Sequence, residues 1–367
     1  MCGGSVLVFE LGREFTPALE KPMIHLATPL LSLSVLALAL PFAGDEDATQ
    51  TSTLSLKQVN EKGWEAFVLP DQRWTTVNEG IRLHGVEQHF QVEQEGDLKI
   101  VVDTNGDGKT DKAVKGAGGE LTLRGTNAEG ERVTYPVRFR SKGSAWSYTC
   151  GGVSMGKLAG IQVRLIDQDG DGLFNEVGVD ALCIGKSKAA SFLSDVISLD
   201  DELYSLEVSD DGTQASITPW EGETGRIDLE SEFDCRGQLL SAIVRDGQTS
   251  FNVAGNRGGL VVPAGEYEFV YGYAKKGDES VEIAGGRMAP LKVDAGKLRT
   301  MEWGGPIAAE VGYTRAEESV TVGNNLKYFG TGGEEYTRFL PEAKSPKILI
   351  KDSDSGELLD SGRFAGC

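Results

Sequence analysis

The chain has 367 residues, of which 56 are acidic and 36 basic, for a formal net charge of −20 at pH 7. A surface this acidic repels nucleic acid and anionic membranes, which argues against both as partners. Forty-eight glycines and recurring Asp-Gly, Asn-Gly and Gly-Gly pairs separate short alternating runs, a pattern that predicts an all-β protein with room for two or three domains.

The expected architecture is a series of tandem β-sandwich-like domains after an N-terminal signal peptide. Leu30 to Leu40 form an apolar run too short for a bilayer, which needs about 20 residues. Lys21 precedes it, and Pro41-Phe42-Ala43-Gly44 supply a small-residue exit, so residues 1–44 read as a signal peptide, with Met23 as an alternative start. No cysteine follows the run closely, which argues against a lipoprotein anchor. Cleavage would remove Arg13, Lys21, Glu10, Glu14 and Glu20, leaving 34 basic and 53 acidic residues, a balance of −19. The mature chain is then expected to be secreted or periplasmic, with no membrane insertion. Residues 45–60 are polar and read as a loose leader.

Residues 61–195 are expected to form a β domain with two acidic loops. Leu98, Ile100 and Val102 alternate with polar or outward residues and run into Asp103-Thr104-Asn105-Gly106-Asp107-Gly108-Lys109-Thr110-Asp111. Ile161, Val163 and Leu165 do the same before Asp167-Gln168-Asp169-Gly170-Asp171-Gly172-Leu173-Phe174-Asn175. Each loop places oxygen side chains at positions 1, 3, 5 and 9 and glycine at 6, as in the first part of a calcium loop; position 7, Lys109 or Leu173, offers its backbone carbonyl. Crowded carboxylates repel unless a cation neutralises them. Position 12, a bidentate glutamate in an EF-hand, is Val114 in one loop and Gly178 in the other. Glu176 or Asp180 is expected to complete the second loop, and water or remote groups the first. The implied cofactor is Ca2+, bound in the weaker extracellular range of about 10⁻⁴ to 10⁻³ M.

Four cysteines survive cleavage, and an even count in an exported chain predicts two disulfides. Trp146, Tyr148 and Cys150 share one strand face, as do Val179, Ala181 and Cys183. The preferred pairing is Cys150–Cys183 with Cys235–Cys367. Lys188 to Ile197 is the one helical candidate. Residues 196–305 read as a β-sandwich, with a hairpin from Tyr204 to Ile217 and a long alternating strand ending in Tyr267, Phe269, Tyr271 and Tyr273. That stripe is either the inward face of a sandwich or a sugar-stacking platform. Residues 306–367 read as a small Ig-like β domain in which Asp352-Ser353-Asp354-Ser355-Gly356 is a hairpin turn.

Two catalytic strings fail on chemistry. Gly152-Val153-Ser154-Met155-Gly156 matches a nucleophile elbow, but both mature histidines, His84 and His89, lie upstream of the serine. The overlapping Gly151 to Lys157 string matches a phosphate loop, but Leu158 stands where magnesium needs Ser or Thr. The two histidines are five residues apart, on opposite faces of a strand, without further zinc ligands in view.

The two acidic loops resemble those of dockerin and thrombospondin type 3 repeats over about nine residues each, a resemblance that implies metal binding. Ile161 to Gly185, Val262-Pro263-Ala264-Gly265-Glu266-Tyr267 and Trp303-Gly304-Gly305-Pro306 resemble a pattern in uncharacterised secreted bacterial β-rich proteins, which implies export. The Pro-Ala-Gly-x-Tyr strand is also similar to prealbumin-like and carboxypeptidase-regulatory-like sandwiches, where it is structural. The function expected is that of a secreted, calcium-stabilised, non-enzymatic β protein that binds a protein or glycan at the cell surface or in the periplasm. The alternative is an extracellular carbohydrate-binding protein or a glycosidase-type hydrolase with a carboxylate pair.

Overall fold

The computed structural model describes residues 6–11, 52–316, 319–342, 347–352 and 355–363. They fall into two compact units. In the smaller, Val6–Leu11 pairs in parallel with Lys347–Asp352, which turns back antiparallel onto Leu358–Arg363. The apolar run Leu30 to Leu40, on which the expectation of a signal peptide rests, lies outside the described residues.

The larger unit, Thr49–Glu342, is all-β. Among the described residues its one helical element is the single turn Trp64–Ala66, and no helix is long and apolar enough to cross a membrane. One sheet has the order Gly118–Thr126, Arg132–Lys142, Ala145–Cys150, Thr75–Thr76. A second runs Ser191–Phe192, Ala181–Ile184, Ile161–Ile166, Gly152–Leu158, Lys57–Asn60. Alternation decides what each face meets. Along Arg132–Lys142, Tyr135, Val137 and Phe139 enter the core while Arg138 and Arg140 point away from it. The first core gathers these residues with Ile100, Val102, Trp146, Leu165, Phe174 and Leu182. Burying side chains of this size contributes about 1.5–3 kcal/mol each.

Val196–Leu199 opens a third sheet with Glu202–Val208, Gln214–Pro219 and Ser52–Ser55. All four residues of Val196–Leu199 are buried. Ile197 and Leu199 face the first core and Val196 faces the second. The second core, with Ile227, Val244, Phe251, Val262, Tyr267, Phe269, Trp303 and Tyr336, underlies an eight-stranded sheet that starts at Thr249–Asn252 and Gln238–Asp246 and ends at Ala308–Ala316. Ala308–Ala316, Ser319–Phe329 and Glu335–Leu340 therefore extend the sheet of the preceding region. Tyr267 and Phe269 are core residues, and Tyr267 donates its hydroxyl hydrogen bond to the Pro263 carbonyl at 3.0 Å.

Three expectations are corrected. The polar leader carries strands: Ser52–Ser55 and Lys57–Asn60 pair with Gln214–Pro219 and Gly152–Leu158, and Leu56 between them is buried. Lys188 to Ile197 is not helical. Ala190, Leu193 and Ile197 mimic a helical spacing, but Ser191–Phe192 adds to the edge of Ala181–Ile184, and Val196–Leu199 is a strand buried on both faces. The disulfides are absent among the described residues, where Cys150, Cys183 and Cys235 are free thiols. Cys150 packs in the first core, whereas Cys183 packs with Trp64, Val153 and Ile166 in a separate cluster. Each sulfur faces the interior as its strand alternation requires, but the two strands belong to different sheets. Cys367 lies outside the described residues.

Candidate metal centre

Both acidic loops begin where a strand ends, and in both the first aspartate is fully buried. In the first loop, Asp103 accepts hydrogen bonds from the backbone N–H groups of Asn105 (3.1 Å), Gly106 (2.8 Å) and Gly108 (2.8 Å). Asn105 accepts from the Asp107 N–H, and Asp107 from the Lys109 N–H. Asp111 turns back instead and accepts from the backbone N–H and hydroxyl of Thr104 at 2.7 and 2.9 Å. Asn105, Asp107, Lys109 and Asp111 are exposed. The oxygens of this loop are occupied by its own backbone, and its acids enter no convergent group of three among the described residues.

The second loop is set deeper. Gly172 at position 6 has φ +98, a conformation that favours glycine, and an added Cβ would sit tightly, 3.1 Å from the His84 backbone nitrogen and from the Leu83 side chain. Neighbouring segments grip the loop: Arg73 N–H donates to the Gln168 carbonyl, His84 N–H to the Asp171 carbonyl, and Phe174 N–H to the Asp210 carbonyl. Asp167 accepts from the Gly170 N–H (2.6 Å), the Gly172 N–H (2.8 Å) and the Tyr135 hydroxyl (2.6 Å).

Its carboxylates converge in two overlapping groups, Asp167 with Asp169 and Asp180, and Asp169 with Asp171 and Glu176. Within each group the nearest oxygens all lie within 4.8 Å of one another. The second group is the better candidate cradle, because its oxygens are less committed. Asp169 Oδ1 and Glu176 Oε2 are buried without a hydrogen-bond partner. Asp180, by contrast, already accepts from the Glu176 N–H at 2.9 Å and the Gln168 N–H at 3.3 Å. The nearest protein cation is Arg73, whose guanidinium lies 3.5 Å from Asp169.

Electrostatics agree with the geometry. Burial is the largest influence on Asp167, whose pKa is pushed up to about 7 despite three hydrogen bonds that favour the anion. Burial and then the Asp167 charge push Asp180 up to about 8. Glu176 is raised by burial and by Asp171 and Asp169. Tyr148 is raised by burial and by the three loop aspartates. Mutual repulsion of this kind is what a divalent cation relieves. Ligands that are all carboxylate oxygens suit a hard cation, calcium or magnesium, rather than zinc or copper.

Of the remaining sequence candidates, Asn175 turns away to donate to Asp210 at 2.8 Å. Leu173 donates its N–H to Asp171 at 2.8 Å. Sequence reading missed Tyr135 and Arg73, which come from a distant strand and loop, and the role of Gln168 within the loop itself. Ser154 of the elbow-like string is a buried strand residue whose hydroxyl donates to the Gly212 carbonyl. The phosphate-loop string lies largely on the same strand, Gly152–Leu158. His89 bonds the Glu79 carbonyl at 2.6 Å, and neither histidine joins a metal-ligating group among the described residues. A cleft of about 910 Å³ opens elsewhere, lined by Ile161, Leu182, Asp200, Ser250, Phe251 and Asn252 among others, with none of the loop acids.

Compared with known proteins, the chain matches no family model, no curated protein and no solved structure. The site has to be read from its own atoms.

Proposed function

We propose that this is an exported β protein stabilised by calcium at its second acidic loop, with a structural or binding role outside the cytosol. The observation that carries the reading is the convergence of Asp169, Asp171 and Glu176, two of which hold a buried oxygen without a partner. A cation placed there neutralises acids that folding has brought together, so ion binding and folding are coupled. Calcium is preferred to magnesium because an irregular set of carboxylates suits its flexible coordination, whereas magnesium demands near-ideal octahedral geometry. Export is supported by the apolar run before Pro41 and by the acidic composition. The partner in this reading is a protein or glycan at the cell surface or in the periplasm, and the chain acts by binding rather than catalysis.

Calorimetric titration of chelator-treated protein with calcium and with magnesium tests the proposal. Saturable calcium binding in the range of about 10⁻⁴ to 10⁻³ M, tighter than magnesium, is expected. Absence of calcium binding would overturn it.

A further inference from the structure

Arg138 and Arg140 form no ion pair with any described residue. They project from the face of Arg132–Lys142 opposite the core, and two indoles take them up. The Arg138 guanidinium carbon lies 3.8 Å from the Trp64 ring centre and 5.5 Å from that of Trp74, and the Arg140 carbon lies 4.0 Å from Trp74. The result is a ladder in the order Trp64, Arg138, Trp74, Arg140.

Stacking fixes the plane of a guanidinium and leaves its N–H groups to point sideways. Few of them are used. Arg138 Nε donates to the Cys150 carbonyl at 2.9 Å, while Arg138 Nη2 and Trp64 Nε1 are buried without an acceptor. Arg140 is exposed and donates to no described residue. Glu120 stands across from Arg138 in strand register and is felt electrostatically, but makes no ion pair with it. Arg338, from a strand of the eight-stranded sheet, brings a third positive charge that disfavours charge on Arg140. Arg138 and Arg140 are thus held in place by the indoles without an ion pair of their own, while Arg338 is paired with Glu282 at 3.2 Å.

We propose that this ladder is a recognition site for an oxyanion-bearing ligand, a carboxylate, sulfate or phosphate, gripped by the exposed fork of Arg140, with Arg138 adding positive charge and holding Trp74 beneath it. A planar oxyanion matches a guanidinium edge with two parallel hydrogen bonds, and a fixed guanidinium loses little freedom on binding. None of the acids of either loop belongs to the ladder.

Titration of the full chain at low salt with inorganic sulfate, inorganic phosphate, oligogalacturonate and a neutral oligosaccharide of equal length tests it. At least one anionic probe should bind saturably and more weakly as salt is raised, while the neutral chain does not bind. Binding of the inorganic ions identifies a free anion as the ligand; binding of oligogalacturonate alone identifies an acidic polymer. Arg140→Gln, at an exposed position, should weaken binding at least about fivefold without lowering the melting temperature. Arg138→Lys, which keeps the charge but loses the planar stack that holds Trp74 under Arg140, should also weaken it. If no anionic probe binds the wild type, or if either variant binds as well as the wild type, the ladder is a structural stack and the proposal is wrong.

Discussion

Asp169 belongs to both acidic groups of the second loop, so Asp169→Asn perturbs the proposed ion site while preserving side-chain shape. The variant should respond in opposite directions with and without calcium. In chelator, it loses the Arg73 pair, which is long at 3.5 Å and partly exposed, a loss of about 0–1 kcal/mol. Set against that is relief from repulsion by Asp171 and Glu176. The variant should therefore be at least as stable as the wild type in EDTA. With calcium at ten times its dissociation constant, binding adds about 1.4 kcal/mol to the wild type. For a unit as large as Thr49–Glu342, that corresponds to a rise of about 2–4 °C in melting temperature. Most of this rise should vanish in Asp169→Asn, so the stability order reverses between the two conditions. Thermal melts by circular dichroism in EDTA and in about 10 mM calcium would show it. An equal calcium shift in both proteins would place the ion elsewhere, and no shift in either would refute the reasoning.

Other outcomes follow from the same geometry. Asp167 and Asp180 have folded pKa values of about 7 and about 8, above their unfolded values, so the folded state holds extra protons between the two. In EDTA the melting temperature should then fall as pH rises from about 5 to about 8, and saturating calcium should flatten that slope; a rising profile in EDTA would contradict the assignment. Asp171→Ala should weaken calcium binding in calorimetric titration more than Asn105→Ala, whose loop has its oxygens occupied by backbone N–H groups; the reverse order would show the first loop to be the main site. Tyr135→Phe removes a buried 2.6 Å hydrogen bond to Asp167 and should cost about 1–3 kcal/mol in urea unfolding; an unchanged midpoint would show that this bond contributes nothing. Cys150 and Cys183 are buried with thiols pushed up to about 12, whereas Cys235 is exposed. Thiol labelling with peptide mapping should therefore modify Cys235 in the native protein and the other two only in denaturant; recovery of a Cys150–Cys183 bridge would count against the fold.

Strand alternation made the sheets legible wherever one face is buried. Ile161 to Leu165 forms the strand its alternation predicts. Alternation fails where both faces are buried, as in Val196–Leu199, and where neither is strongly apolar, as in Ser52–Ser55 at a sheet edge. The second loop was legible through its spacing, and Asp180 was within reach of inference. Ile166 pairs with Ala181, so Asp167 and Asp180 flank the same rung of neighbouring strands. Tyr135 and Arg73 were not legible, because long-range sheet pairing brings them to the loop and no local spacing records it. The cysteines failed for a related reason: a shared facing rule says which side of a strand a sulfur takes, not which sheet it meets.

Gly178 occupies more than a missing ligand position. Its N–H donates to the Leu193 carbonyl, and its own carbonyl accepts from Arg245 of Gln238–Asp246 at 3.1 Å. The tail of the second loop is thus fastened to the sheet over the second core while its acids lie against the first. Val196–Leu199, buried between the two cores, continues the same seam. With the acids neutralised, the two cores should melt together as one cooperative block. With the acids unscreened, the seam should loosen, and calorimetry should resolve two transitions in place of one.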